Sequence, residues 1–144
     1  MAADSFDLLR FVTAQDPVWD TVCEELRAGR KQTHWMWFVF PQLASLGRSA
    51  MARHYGLSGL DEAKAYLAHP ILGPRLRQAC TLLLELPEGE AASAIMGSTD
   101  AMKLRSCLTL FALASPGDDI FEPCLRRYFA GEADRLTMRE LDRQ

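Results

Sequence analysis

The stretch from Leu26 to Leu60 contains no aspartate or glutamate, although the 144-residue chain has more acidic than basic side chains. Five arginines and lysines lie within it, so its formal charge is +5, and the other residues must sum to −8 to give the net charge of −3. A local positive field of this kind suits an anionic ligand. Proteins that bind nucleic acid usually carry a strongly basic domain instead, so we do not expect nucleic acid as a partner.

Long apolar runs are also missing from the chain. None approaches the roughly 20 residues that a membrane-spanning helix requires, and residues 1–5 have neither the basic nor the apolar segment of a secretory signal peptide. The apolar content of 49% and the charged content of 24% are ordinary for a globular protein in water. We therefore expect a cytoplasmic protein with no membrane segment.

The four cysteines form no C-x-x-C pair, the local spacing on which most zinc sites and redox motifs depend. They are Cys23, Cys80, Cys107 and Cys124. This scattered spacing predicts free thiols in a reducing compartment. The motifs G-x-S-x-G, H-E-x-x-H and the P-loop are absent as well. The enzyme classes that these motifs define are therefore unsupported, and we predict no metal and no cofactor.

Helix signals dominate the remaining pattern. Asp16-Pro17 is typical of a helix start, apolar residues follow at helical spacing from Val18 to Leu26, and Gly29 is typical of a helix end. Alternating strand patterns and Asn-Gly turns are lacking, as are repeats and linkers. We predict a single all-α domain over residues 1–144, an orthogonal packing of about seven or eight short helices.

Further helix starts are predicted from their capping residues, which are Ser58-x-x-Asp61, Thr137-x-x-Glu140, and Asp118 or Asp119. The apolar segment from Trp35 to Phe40 is different, because periodicity alone does not distinguish a strand from a buried helix there. We favour a short buried helix that ends before Pro41, since every neighbouring segment is helical and a lone strand would have no partner.

An aromatic run, His34-Trp-Met-Trp-Phe-Val-Phe-Pro-Gln42, lies inside the basic stretch and holds two of the chain's three tryptophans. Aromatic faces beside cations suit a planar anion such as a nucleotide, although aromatic side chains more often fill a core. Trp35 and Trp37 are two residues apart and point in roughly opposite directions in a helix or a strand. One of them can therefore fill the core while the other lines a surface cleft.

Five charged or titratable side chains are candidates for chemistry. Arg30 and Lys31 follow a predicted helix end, where they can offset its negative pole or bind an anion, and the two roles are compatible. His34 is the leading acid–base candidate because histidine ordinarily titrates near neutrality, the alternative being a structural histidine bonded to backbone. Asp100-x-x-Lys103 is either an ordinary helix-surface ion pair or part of a cleft that faces residues 30–42.

Several sequence motifs are too specific to result from amino-acid composition alone. They are Gly29-Arg-Lys-x-x-His34-Trp-Met-Trp-Phe-x-Phe-Pro-Gln42 and shorter motifs within 46–49, 62–73 and 97–111. Together they resemble the bacterial family catalogued as domain of unknown function 1810, from about Phe6 to Leu141. The resemblance implies a small all-α, single-domain protein and no established activity. Members are sometimes labelled calpastatin, which this sequence does not support, because calpain inhibitors of that kind are disordered and polar.

We predict that the protein binds a small anionic, nucleotide-like ligand, and the sequence does not decide whether it also acts on that ligand. The candidate ligand-binding residues are Arg30, Lys31, Trp35, Trp37, Gln42 and Lys103, and the candidate catalytic residues are His34 and Asp100. The alternative is a protein-interaction module whose Trp-rich segment and basic rim form a hot-spot patch for a protein partner. A concave pocket at Lys31, His34 and Asp100 would favour the ligand, and a flat apolar patch would favour the protein.

Overall fold

The computed structural model describes residues 4–118 and 120–143, which form ten α-helices and one 3₁₀-helix and contain no β-strand. The α-helices are α1 (Leu9–Gln15), α2 (Trp19–Ala28), α3 (Met36–Val39), α4 (Ala50–His54), α5 (Leu60–Ala68), α6 (Leu72–Leu84), α7 (Ala92–Met96), α8 (Ser98–Ala114), α9 (Phe121–Phe129) and α10 (Arg135–Asp142), and the 3₁₀-helix is Ala44–Leu46. The predicted all-α fold is confirmed. The count exceeds seven or eight because α3, α4 and α7, of four or five residues each, are separate helices.

Helix α8 lies at the centre of the fold and packs against α5, α7, α9 and α10. Five of its side chains have no exposed surface: Leu104, Cys107, Leu108, Leu110 and Phe111. A helix that is apolar on every side is typically a buried one. Because each fully buried leucine or phenylalanine contributes about 1.5–3 kcal/mol, α8 supplies a large share of the core's stabilisation. Its charged side chains, Asp100, Lys103 and Arg105, lie in its first two turns.

The apolar segment before Pro41 forms a short helix, α3, as predicted, and its side chains Met36, Phe38 and Val39 are buried. Beyond it, Leu43 and Leu57 form an isolated β-bridge. The N–H of Leu57 donates to the carbonyl of Gln42 (2.9 Å), and the carbonyl of Leu57 accepts from the N–H of residue 44 (2.8 Å). This bridge joins the end of the aromatic run to the chain before α5.

The predicted capping box before α5 uses a different carboxylate. Glu62, rather than Asp61, accepts hydrogen bonds from the backbone N–H and the hydroxyl of Ser58, at 2.9 and 3.0 Å. Glu62 is also the ion-pair partner of Arg10 (3.1 Å). The guanidinium of Arg10 donates to the carbonyl of Gly56 as well (3.0 Å), so α1 is fixed to the start of α5 by a largely buried polar contact.

The last two helices also begin differently from the prediction. Helix α10 starts earlier, because the carboxylate of Asp134 accepts hydrogen bonds from the N–H (2.9 Å) and the hydroxyl (2.7 Å) of Thr137 and caps the first turn. The side chain of Asp118 does not cap α9 and instead pairs with Arg77 (2.7 Å). Asp119, the other predicted start of α9, lies outside the described residues.

All four cysteines are buried and free, as their spacing predicted. Cys124 of α9 donates from its Sγ to the carbonyl of Cys80 in α6 (3.5 Å). The interaction with Cys124 and burial raise the pKa of the Cys80 thiol well above its usual value, and burial has the same effect on the pKa of Cys107. Within the described ranges, no helix combines the length and the apolar character needed to cross a bilayer.

Candidate functional site

The loop between α2 and α3 carries most of the candidate residues, and it begins at Gly29. This glycine adopts a left-handed conformation (φ 70°), which ends α2 where the sequence predicted. The N–H of Arg30 then donates to the carbonyl of Glu25 (3.1 Å), and the N–H of Lys31 donates to the carbonyl of Ile95 (2.7 Å). The loop is thus fixed to the end of α2 on one side and to α7 on the other.

The carboxylate of Glu25 organises the rest of this loop. It accepts hydrogen bonds from the N–H of Gln32 (2.8 Å), the N–H and hydroxyl of Thr33 (3.1 and 2.7 Å), and the indole N–H of Trp35 (2.9 Å). Burial raises the pKa of Glu25, but these hydrogen bonds outweigh burial and lower the pKa from 4.5 to about 2. Glu25 is therefore ionised, and its single buried charge holds Gln32, Thr33 and Trp35 in place.

Sequence reasoning missed Glu25, although a signal was present. Glu25 follows Val22 by three residues and precedes Leu26, so it lies on the buried stripe of α2 rather than on its solvent face. An acidic residue in such a stripe needs buried donors. Trp35, ten residues later, supplies one of them.

Lys31 and Asp100 form an ion pair that joins the loop to the first turn of α8. The Lys31 Nζ lies 3.0 Å from Asp100 Oδ2 and donates to the carbonyl of Thr33 at 2.7 Å. The same ammonium lies 5.0 Å from the centre of the Trp35 ring. The Lys31 side chain is only 7% exposed. The Lys31 charge is therefore largely buried and already paired with Asp100, and its predicted role in binding an anion stays a prediction.

Trp35 and Trp37 lie in different environments, as their spacing predicted. Trp35 is 1% exposed, so it belongs to the core and has no free face on which a ligand could stack. Trp37 is only partly buried. The Lys103 Nζ lies 5.8 Å from the centre of the Trp37 ring, and the His34 ring centre lies 6.5 Å from it at an interplanar angle of 38°. Trp37 thus has a cation and an imidazole as neighbours.

Asp100 connects the two tryptophan environments. Its Oδ2 pairs with Lys31, which lies over Trp35, and its Oδ1 is 3.8 Å from the ammonium of Lys103, which lies near Trp37. Asp100 is also in the first turn of α8, where the helix dipole favours a negative charge. The segment 30–37 and the start of α8 are therefore adjacent, and a shared carboxylate sets the positions of both lysines.

In the part of the chain that the structure describes, no hydrogen bond, ion pair or ring contact joins the side chain of Arg30 or Gln42 to Trp37, Asp100 or Lys103. Arg30 is exposed, and within the described residues its guanidinium has no ion-pair partner. Gln42 contributes its backbone carbonyl to the bridge with Leu57. Arg30 therefore keeps an unpaired positive charge next to Lys31 in the sequence. For Gln42 the structure shows a structural role, in which its backbone carbonyl accepts a hydrogen bond from Leu57.

Among the surface cavities of the described residues are two that are not lined by Lys31, His34 or Asp100. One, of about 260 Å³, lies between α8, α9 and α10, and the other, of about 360 Å³, lies beside the start of α5. Trp37 and Lys103 are partly exposed and His34 is exposed, and none of the three lines either of these two cavities. In residues 4–118 and 120–143, no three histidine, cysteine or acidic side chains are grouped to hold a metal ion.

Comparison with known proteins identifies the family to which the chain belongs. A family model described as protein of unknown function (DUF1810) matches residues 5–141. The chain belongs to this family. The DUF1810 chain is also similar to a solved protein, the conserved hypothetical protein Rv1873 from Mycobacterium tuberculosis, whose crystal structure was determined at 1.38 Å. The two share 50% sequence identity over 96% of this chain and 99% of that chain, with a TM-score of 0.94. No curated protein matches the sequence.

Proposed function

We propose that this DUF1810 protein binds a small anionic ligand with a planar ring, such as a nucleotide, on the surface around Trp37. The residues that would contact it are Trp37, Lys103, His34 and Arg30. The observation that carries the proposal is the Lys103 ammonium, 5.8 Å from the centre of the Trp37 ring at a partly exposed position. The four free thiols support a reducing compartment, and we place the protein in the cytoplasm.

Each of these groups would supply a different part of recognition. Stacking of a base on an aromatic side chain contributes about 1–3 kcal/mol, and Trp37 is the tryptophan of the aromatic run with exposed surface. Lys103 and Arg30 would attract the anionic group, Arg30 having no partner to compete with it. His34, which is exposed beside Trp37, would donate a proton to the ligand or accept one from it.

Lys31 and Asp100 have a positioning role in this proposal. Asp100 holds Lys103 near Trp37, and Lys31 neutralises part of the charge that Asp100 would otherwise present to an anion. Three cations and one carboxylate remain among Arg30, Lys31, Lys103 and Asp100, so the formal charge of the site is +2. A net positive charge beside an aromatic face is consistent with a planar anion as the ligand.

A protein partner on the same surface is the alternative, and one observation favours it. Met102, next to Lys103, is 69% exposed, the most exposed of the large apolar side chains described. A protein-interaction patch, however, usually depends on several large side chains that the partner covers when it binds. Trp35, Phe38 and Phe40 are all buried in the core of this protein, so a patch in the aromatic run would depend on Trp37. Neither of the two cavities lies at Lys31, His34 and Asp100, so they do not support the ligand, and it is the scarcity of exposed aromatic anchors that leads us to favour it over a protein partner.

The proposal is tested by isothermal titration with AMP, ADP, ATP, GMP and inorganic phosphate. We expect a nucleotide to bind, and saturation at about 100 times Kd should stabilise the protein by roughly 2.7 kcal/mol in a thermal-shift assay. Lys103→Gln and Trp37→Leu should each weaken binding about tenfold. Lys64→Gln is the matched control, because Lys64 is an exposed lysine of α5. Analysis of the nucleotide after incubation tests for turnover.

Two results would count against the proposal. If Lys103→Gln and Trp37→Leu bind every nucleotide as tightly as Lys64→Gln, then the site lies elsewhere. If no nucleotide or phosphate stabilises the wild-type protein, the protein-interaction alternative becomes the better explanation of this surface. Circular dichroism of each variant separates lost binding from lost folding.

A further inference from the structure

A second candidate site, independent of the surface around Trp37, is the cleft of about 260 Å³ between α8, α9 and α10. Its apolar lining includes Leu113 of α8, Leu125 of α9 and Met138 of α10. Leu125 is buried, whereas Leu113 and Met138 are 38% and 40% exposed at the cleft edge. The volume is just below the roughly 300–1,000 Å³ of typical small-molecule sites, so the cleft suits a small ligand with an apolar body.

The walls of this cleft are held in place by polar contacts. The hydroxyl of Thr109 in α8 accepts a hydrogen bond from the N–H of Asp134 (2.9 Å), the residue that caps α10. Arg105, one turn earlier in α8, donates to the carbonyl of Glu132 (2.8 Å) and pairs with its carboxylate (3.1 Å). These contacts fix the chain that leads into α10, so the cleft is preformed and a ligand need not order it.

Two opposite charges lie at the cleft without partners. Glu122 and Arg126 are one turn apart on α9, a spacing at which such residues commonly pair. Both are exposed, and within the described residues neither forms an ion pair. A ligand in the cleft would therefore meet one free carboxylate and one free guanidinium. A ligand carrying both an ammonium and a carboxylate group would satisfy both charges.

Other ligand classes fit the lining less well. Thr109 is the remaining polar side chain of the cleft, and its hydroxyl already donates to the carbonyl of Arg105 (2.8 Å) while it accepts from Asp134 (2.9 Å). A sugar has several hydroxyls and would find side-chain partners only in Glu122 and Arg126, so its other hydroxyls would lie unpaired against the apolar lining. A phosphate would be attracted by Arg126 but repelled by Glu122.

We propose that this cleft binds a small zwitterion with an apolar body, of the chemical class of the apolar amino acids. The ligand carboxylate pairs with Arg126, its ammonium pairs with Glu122, and its side chain lies against Leu125 and Met138. The bidentate fork of arginine matches a carboxylate in geometry as well as in charge.

The test is a titration of isotope-labelled protein with L-phenylalanine, followed by ¹H–¹⁵N NMR. We expect saturable shifts confined to α8, α9 and α10. The analogue 3-phenylpropanoate lacks the ammonium and phenethylamine lacks the carboxylate, so each should bind at least about tenfold more weakly. Glu122→Gln and Arg126→Gln should each weaken L-phenylalanine about tenfold. Arg139→Gln, an exposed arginine of α10 outside the cleft, should leave the affinity unchanged.

Two outcomes would overturn this proposal. One is equal affinity for L-phenylalanine and 3-phenylpropanoate, or an unchanged affinity in Glu122→Gln, because the ammonium would then not be recognised. The other is the absence of saturable shifts with L-phenylalanine, L-leucine and L-methionine up to about 50 mM. Nucleotides that bind at Trp37 should not shift the signals of α9 and α10. The two proposed sites can therefore fail independently.

Discussion

The indole N–H of Trp35 donates a 2.9 Å hydrogen bond to the carboxylate of Glu25, which lies ten residues earlier in the chain, in α2. The same carboxylate holds the backbone N–H groups of Gln32 and Thr33. A buried tryptophan, a helix and a loop are thus joined through one ionised side chain. Because Lys31 lies directly before these residues, the geometry of the candidate site depends on a residue that does not contact any ligand.

Replacing Glu25 should therefore destabilise the protein in a pH-dependent way. The folded-state pKa of about 2 is below the ordinary 4.5, so the carboxylate stabilises the fold above about pH 4.5 and loses this effect as the pH falls toward 2. A shift of this size corresponds to about 3 kcal/mol. Glu25→Gln should unfold about 2–3 kcal/mol more easily at pH 7, and the difference should shrink to less than about half at pH 3.

Urea unfolding at the two pH values measures this difference. Glu24→Gln is the matched control, because Glu24 precedes Glu25 on α2 but is exposed. The prediction is wrong if the two variants lose the same free energy of unfolding, or if the loss in Glu25→Gln does not change with pH. Either result would show that the charge of Glu25 does not stabilise the fold.

The ion pair between Lys31 and Asp100 should contribute to stability, because Lys31 is almost completely buried. Lys31→Met keeps the aliphatic chain but leaves Asp100 with the more distant Lys103 (3.8 Å) as its cation. We expect a loss of about 2 kcal/mol, since the partly buried carboxylate of Asp100 loses its nearest cation. Asp100→Asn and the double variant complete a double-mutant cycle in urea, which should give a coupling energy above about 1 kcal/mol.

Lys64→Met, on the exposed face of α5, is the control for loss of a lysine. If Lys31→Met is as stable as Lys64→Met, then Lys31 is solvated in solution and remains available to a ligand. In that case the role first predicted from the sequence would apply.

The sequence predicted the elements of this fold better than the contacts between them. Gly29 ends α2 and Pro41 follows α3 because glycine and proline restrict the local backbone whatever surrounds them. The opposite burial of Trp35 and Trp37 likewise follows from local geometry. Such features depend on neighbouring residues and can be inferred from one sequence.

The partners of charged side chains could not be predicted in the same way. Lys31 and Asp100 are separated by 69 positions, and they meet because the loop before α3 is bonded to the end of α7, which places it beside the first turn of α8. Periodicity assigns a face to each residue but does not say which helix covers that face. Glu25 was missed for the same reason, since its donors come from a loop and not from α2.

The four thiols should be unreactive in the folded protein. All are buried, and the thiolate that reacts with disulfide reagents is disfavoured at Cys80 by the interaction with Cys124 and by burial, both of which raise its pKa. Labelling with a thiol-specific disulfide reagent at pH 8 should be slow under native conditions. Under denaturing, non-reducing conditions it should count four thiols. A count below four would reveal a disulfide, and a rapid native reaction would show that at least one cysteine is accessible.

The fluorescence of Trp37 should report ligand binding directly. A planar ring stacked on Trp37 quenches its emission, whereas Trp35 is buried and should not respond. The quenching expected with a nucleotide should be lost in Trp37→Phe and retained in Trp19→Phe, which removes a tryptophan of α2 outside the site. Quenching that persists in Trp37→Phe would place the ligand at another tryptophan.

The affinity of the same nucleotide should fall as salt rises from about 0.05 M to about 0.5 M, because the attraction between its phosphates and the +2 site is screened. In Lys103→Gln one of these charges is removed, so the affinity should be lower at low salt and should depend less steeply on salt. The Lys64→Gln variant carries the same change in net charge at an exposed position of α5 and should keep the wild-type slope. Equal slopes in Lys103→Gln and Lys64→Gln would mean that Lys103 is not near the bound anion.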